Sequence, residues 1–375
     1  MLIMPLGDIF ISEFKIDTQE YSFLVSAYAF AAFLAGMVGM LFLDFFDRKL
    51  ALQISYGGFA VGSFLCAMSS TYIQLLGYRF FTGLFGGVLG AIVLSIVADL
   101  FKFKERGWAM GIVMTAFSAA SAIGVPFGLL LADLHGWRFP FYVLGGTGMA
   151  ISILIFFIFP SMTNHFESVD RKRKPLDTIG LIISDKNQIN ALITGMILVL
   201  GHFLIIPFIT PYMIRNVGLE QEEIKYIFLI GGILTVFTAP FIGKMVDKYG
   251  VMKIFISVCV LSFIPTILIT HLPESALYIA LIATSLFFIF GSGRFIAPNT
   301  LITAAPTPEN RGSFMSLKSA LQQLAIALAS FLAGTIVFIT DTGEIRNYNY
   351  VAYVSIVVII ISIFLTNRLK VAKGN

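Results

Sequence analysis

Charge is what this chain has least of. Only 12% of its 375 residues are Asp, Glu, Lys or Arg, against 58% hydrophobic residues, and the mean hydropathy is +0.90. A water-soluble domain of this length could not cover its surface with so few charges, so the composition is that of an integral membrane protein. Cysteine is nearly absent too. Cys66 and Cys259 stand in separate apolar runs with no CxxC spacing and no neighbouring histidine, which excludes a disulfide framework and a thiolate metal site. With four histidines, no phosphate-binding loop and no nucleotide-binding segment, nothing supports a primary pump or a metalloenzyme. The tripeptide Gly291-Ser292-Gly293 suggests an intramembrane serine nucleophile only if His202 served as its base, and nothing in the sequence places the two together. The chain is therefore not expected to be an enzyme or to carry a cofactor. Its formal net charge of +4 is too small to imply a nucleic-acid partner.

Long apolar runs fill the space that charge leaves. A helix needs about 20 apolar residues to cross a hydrocarbon layer of about 30 Å. Runs of that kind fall at roughly 20–43, 50–69, 72–100, 107–133 and 138–160, and again at 189–213, 222–243, 251–270, 275–304, 312–340 and 348–367. Ahead of them, Met1 to about Ser12 supplies half a span, so the first helix is expected to be truncated at its start. Eleven full spans and one partial one divide into an N-terminal half over 1–160 and a C-terminal half over 189–375. They are joined by a polar linker over 161–188 that carries Arg171, Lys172, Arg173 and Lys174.

The halves read as copies of each other. GKMVDKYGVMK, Gly243 to Lys253, has a faint counterpart about two hundred residues earlier in MLFLDFFDRK, Met40 to Lys49, and RGSFMSL from Arg311 answers RGWAMGI from Arg106 at nearly the same spacing. Two markers in one register argue for duplication, and a duplicated polytopic chain can rock two pseudo-symmetric halves about a site between them. With the linker on the cytoplasmic side, most of the 25 Lys and Arg fall inside, including Arg48, Lys49, Lys244, Lys248 and Lys253. Both motif copies then face the cytoplasm. Topogenic charge accounts for their basic residues but not for the matched Asp44 and Asp247, for which a gating role is the stronger reading.

On these motifs the chain resembles the major facilitator superfamily over essentially its whole length. GKMVDKYG, with Gly243, Asp247, Lys248 and Gly250, matches the family's G-x-L-a-D-r-x-G-r-k loop motif. In the first copy Asp44, Arg48 and Lys49 match, while Met40, Phe45 and Asp47 depart from it. The resemblance implies an all-α fold of two pseudo-symmetric six-helix halves. It also implies that Asp44, Arg48 and Asp247 hold the halves together on the cytoplasmic side, with Asp99 as the acidic partner of Arg48. An aspartate there can face the free N–H groups of a helix start in the opposite half, worth about 0.3–2 kcal/mol. By pseudo-symmetry Asp44 should meet the helix start near Gly312 and Ser313, and Asp247 the one near Gly107.

Ionisable residues inside spans are costly enough to need a function. Asp8, Arg79, His202 and Arg294 fall one on every third span and are the candidate substrate and proton-coupling residues, whereas Lys318 lies near enough to the cytoplasm to snorkel. The same spans carry helix-breaking residues: Pro5 and Gly7, Pro207 and Pro211, Gly291, Gly293 and Pro298. Arg79, Gly83, Gly86 and Gly90 share one helical face with close-packing glycines. Asp8 and Arg79 fall at comparable depths, so they are expected to pair, with the carboxylate as proton carrier because arginine will not deprotonate. In the fifth span Gly124, Pro126 and Gly128 of GVPFG resemble the family's antiporter motif, and the surrounding stretch resembles its sugar-efflux and drug-efflux members. The resemblance thus implies a monomeric secondary transporter in the lipid bilayer of a bacterial inner membrane, exporting a small molecule against protons by alternating access. Proton-coupled uptake, or a transporter-like receptor or assembly factor that moves nothing, would leave the same sequence marks.

Overall fold

The structure is a computed structural model, and it describes residues 2–42, 46–100, 120–163, 175–307 and 311–372. Among them, ten helices are long and apolar enough to cross a membrane. In the first half a short α1 (Gly7–Phe14) is followed by α2 (Thr18–Phe42), α3 (Arg48–Met68) and α4 (Tyr72–Leu100). A π-helical turn over Ala120–Gly124 then leads into α5 (Val125–His135), and α6 (Phe139–Ile158) closes the half. In the second half a linker helix α7 (Pro175–Ser184) precedes α8 (Lys186–Phe203) and α9 (Ile206–Arg215). After them come α10 (Ile224–Tyr249), α11 (Val251–His271), α12 (Leu277–Ala304), α13 (Arg311–Ile336) and α14 (Tyr348–Thr366). Between α13 and α14 a small hairpin pairs β1 (Phe338–Ile339) with β2 (Ile345–Arg346) antiparallel.

The breaks follow from proline chemistry, with one exception. Pro207 has no N–H to continue the ladder of α8, and the seventh span splits at Leu204–Ile205. Side chains bond carbonyls at the break: the Tyr348 hydroxyl donates to Ile205 O at 2.7 Å, and the Tyr21 hydroxyl donates at 2.9 Å to Pro207 O, which Pro211 leaves without a helical donor. Pro126 stands just past the π turn of the fifth span, where the widened ladder accommodates its missing donor. The exception is α12, which runs without a break through Gly291, Gly293 and Pro298, so that span is not interrupted as expected.

Packing joins the halves most firmly toward the outer surface. One buried cluster takes Phe10, Tyr21, Leu24 and Trp137 from the first half and Phe208, Met213 and Tyr348 from the second. A second, around Phe255, Phe314 and Ile242, belongs to the second half and is joined from α2 by Met37 and Met40. The glycine face of α4 packs on α2: a Cβ on Gly83 would strike Tyr28 O and one on Gly87 would strike Ala32 O, whereas one on Gly90 would meet open space.

Candidate functional site

Among the described residues, every hydrogen bond and ion pair between the halves lies at the outer end of the molecule. Asp8 in α1 accepts from Arg215 Nε at the end of α9. The same guanidinium donates from Nη2 to Ser12 Oγ at 3.1 Å and from Nη1 to Gly343 O at 3.4 Å. Both side chains are mostly buried, 16% exposed for Asp8 and 19% for Arg215. A second cross-half pair joins Lys225 at the start of α10 to Asp133 at the end of α5, at 3.3 Å. The Thr18 hydroxyl donates to Val337 O at 2.5 Å, and Tyr21 adds the bond to Pro207 described above. The expected Asp8–Arg79 pair does not form, because similar depth does not guarantee a shared azimuth. Asp8 faces the second half, while Arg79 faces α2.

The intramembrane cations have neutral partners among the described residues. Arg79 donates from Nε to Leu24 O at 3.3 Å, and its guanidinium lies over the Tyr28 ring at 4.5 Å. Arg294 is 2% exposed and donates from Nη2 to His202 Nδ1 at 3.4 Å, while its Nη1 has no acceptor among the described residues. His202 stacks on Phe287 with ring centroids 5.4 Å apart and meets Phe203 and Phe295 edge-on. Gly291 makes this approach possible, since a Cβ there would sit 2.8 Å from His202 Cε1. Lys318 does not snorkel: its Nζ donates to Asn299 Oδ1 at 2.8 Å.

The cytoplasmic motif residues are differently placed. Asp44 and Gly107 lie outside the described residues, and so does the side chain of Asp99. Asp247 is exposed and makes no ion pair or hydrogen bond with a described residue, and Lys248 lies over the Tyr249 ring at 5.1 Å. Gly250, with φ +89°, turns the chain between α10 and α11 in a conformation that a side chain would strain. Gly243 has no neighbour for a Cβ within 4 Å. In the first copy Arg48 is buried and its N–H donates to Met162 O at 3.3 Å, and Lys49 lies over the Phe156 ring at 5.5 Å.

Sequence reasoning overlooked Asp47, which caps α3. It accepts from Lys49 N–H at 2.8 Å, Met162 N–H at 2.9 Å and Ser161 Oγ at 2.5 Å, tying the loop to the residues after α6. Burial opposes its ionisation. The three hydrogen bonds and the Lys49 charge outweigh that and hold the carboxyl below its usual range. An aspartate directly before Arg-Lys and an apolar run is a helix-start signal that could have found it.

The antiporter-like segment faces the other half. The π turn ending at Gly124, and α5 with Pro126, pack against α10, and a Cβ on Gly128 would press on Leu2. Neither this segment nor the outer seam brings Asp8, Arg79 and Arg294 into one cluster. Of the four intramembrane candidates, only His202 and Arg294 touch.

Two copies of one helical plan, sealed to each other at one end, have a counterpart among known proteins. The family model described as Major Facilitator Superfamily matches residues 1–200 and 191–373. The chain belongs to that superfamily. It is 23% identical over 316 residues to the uncharacterized MFS-type transporter YbcL of Bacillus subtilis, covering 84% of this chain and 78% of that one. To the multidrug resistance protein MdtG of Proteus mirabilis it is 28% identical over 341 residues, covering 86% and 81%. The crystal structure of a D-xylose-proton symporter, 14% identical in sequence, shares the fold with a TM-score of 0.74 over 100% of this chain and 93% of that one. The chain is thus a multi-pass membrane protein of a transporter family, not an enzyme.

Proposed function

We propose that this protein exports a small sugar-like or drug-like molecule in exchange for protons, as a monomer in a bacterial inner membrane, and that the Asp8–Arg215 pair is its outer gate. The observation that carries this reading is the one-sided seam: the bonds between halves gather at the outer end, while Asp247 on the cytoplasmic side is free of described partners. Such a molecule is closed to the outside. Ionised Asp8 and Arg215 attract across the seam in a largely dry setting, and protonation of Asp8 from the outside removes the attraction. A bias of about 1–3 kcal/mol between two states corresponds to a population change of roughly 5–150-fold, enough to open one gate without locking it. The likeness to MdtG supports export, and the fold likeness to a proton symporter supports proton coupling. Arg79, His202 and Arg294 line the helices that would face the cargo, and Asp44, Arg48, Asp99 and Asp247 would latch the cytoplasmic side when the outer gate opens.

The reading is tested by flux into reconstituted vesicles under an imposed pH gradient. Asp8→Asn should lose proton-driven accumulation while keeping exchange of cargo at equilibrium. Full proton-driven flux in that variant would remove Asp8 from the coupling mechanism.

A further inference from the structure

Among the described residues, three cations within the spans have no carboxylate partner. Arg79, Arg294 and Lys318 lie within spans, and their described partners are a backbone carbonyl and a tyrosine ring, an imidazole nitrogen, and an amide oxygen. Asp8, a carboxylate that the sequence places within the first span, is taken by Arg215 at the outer end. Arginine stays charged in any protein environment, and an uncompensated charge within the membrane carries a cost of several kcal/mol. The mismatch is sharpest at Arg294. It is 2% exposed, and among the described residues its Nη1 has no acceptor and its Nη2 has only the 3.4 Å contact to His202. Arginine can only donate, so His202 Nδ1 accepts, the ring is neutral, and its proton is on Nε2. The place therefore offers a guanidinium edge with an N–H that has no described acceptor and a second N–H from an imidazole that packs against the rings of Phe203, Phe287 and Phe295.

We infer that the missing negative charge is brought by the cargo: the transported molecule is an organic anion, a carboxylate with an apolar or aromatic body, and Arg294 binds its charged group. A planar carboxylate suits the guanidinium fork, and the three phenylalanines suit the body behind it. This rests on the transport reading above and narrows it to one substrate class. The other source of the same charge is a resident inorganic anion such as chloride.

The experiment is thermal unfolding of the full chain in lipid nanodiscs with benzoate, its neutral isostere benzamide, or chloride, at matched ionic strength. Benzoate should raise the Tm saturably, and benzamide and chloride should not. In Arg294→Gln the apparent Kd for benzoate should rise at least about tenfold, and the ligand-free protein should unfold at a temperature no lower than wild type because an uncompensated charge has been removed. An equal shift with benzamide, an equal shift with chloride, no shift with benzoate, or an unchanged Kd in Arg294→Gln would each overturn the inference. Should that variant fail to fold, the benzoate and benzamide arms on the wild-type protein decide the matter alone. Binding is read without transport, so failure here is distinct from failure of the Asp8→Asn flux test.

Discussion

The outer and cytoplasmic ends of the seam between the halves are built from different interactions. At the outer end two ion pairs, a threonine bond and a tyrosine bond cross the seam, and an aromatic cluster fed by both halves lies beneath them. Toward the cytoplasm the described cross-half contacts are apolar and small, such as Gly36, where a Cβ would stand 3.3 Å from Ala320 Cβ, with Met37 and Met40 beside it. Directional bonds either hold or break. Apolar contacts slide. An end closed by a few charged bonds can therefore be switched by neutralising one partner, whereas an end touching through methyl groups can part and re-form gradually.

The largest effect should come from breaking the Asp8–Arg215 pair. Removing one partner of a mostly buried pair leaves a charge stranded, so Arg215→Gln and Asp8→Asn should each shift the equilibrium toward an open outer end by roughly 1–3 kcal/mol. The exchanged double variant Asp8→Arg with Arg215→Asp should recover much of it. Distances between spin labels across the outer mouth would report this. The pair between Lys225 and Asp133 is longer and its lysine is a flexible point charge, so Lys225→Gln should move the same distances by less, about 1 kcal/mol at most.

On the cytoplasmic side, Asp47→Ala should cost about 1 kcal/mol of stability through loss of the α3 cap without altering the outer mouth. Its pH dependence has a definite sign. The native carboxyl titrates below its unfolded value of about 3.9, so its stabilisation is present above that pH and is lost as pH falls through the native value. Unfolding temperatures in nanodiscs should therefore decline less steeply below about pH 4 in the variant than in wild type. The smallest effect is expected from Asp247→Asn: no change in the outer-closed state, and a reduced share of outward-open molecules when cargo or pH favours that state. Accessibility of engineered cysteines from each side would show both.

Much of this architecture is legible in the sequence, because a bilayer imposes a length on every span and duplication leaves two markers in register. The split at Pro207 and the glycine packing of α4 were readable because proline chemistry and missing side chains act locally. The partner of Asp8 was not readable. Arg215 lies 207 residues away, and as an outer-loop cation it passes for a topology signal. Hydropathy gives depth and leaves the direction around the helix axis open. Lys318 misled in a related way, since its long stem could reach the headgroups, yet Asn299 supplies an acceptor within the protein. Pro298 signalled a break that α12 does not have, because a membrane helix buttressed by neighbours can carry a proline without parting.

The most direct test of the outer gate uses Ser22, which is buried at the seam where a Cβ on Gly334 would collide with it. Both native cysteines are buried, so a membrane-impermeant thiol reagent applied from outside would report on Ser22→Cys. The account predicts slow labelling at neutral pH and at least about tenfold faster labelling when Asp8→Asn is added. Equal labelling rates with and without Asp8→Asn would contradict the claim that this charge pair holds the outer end closed.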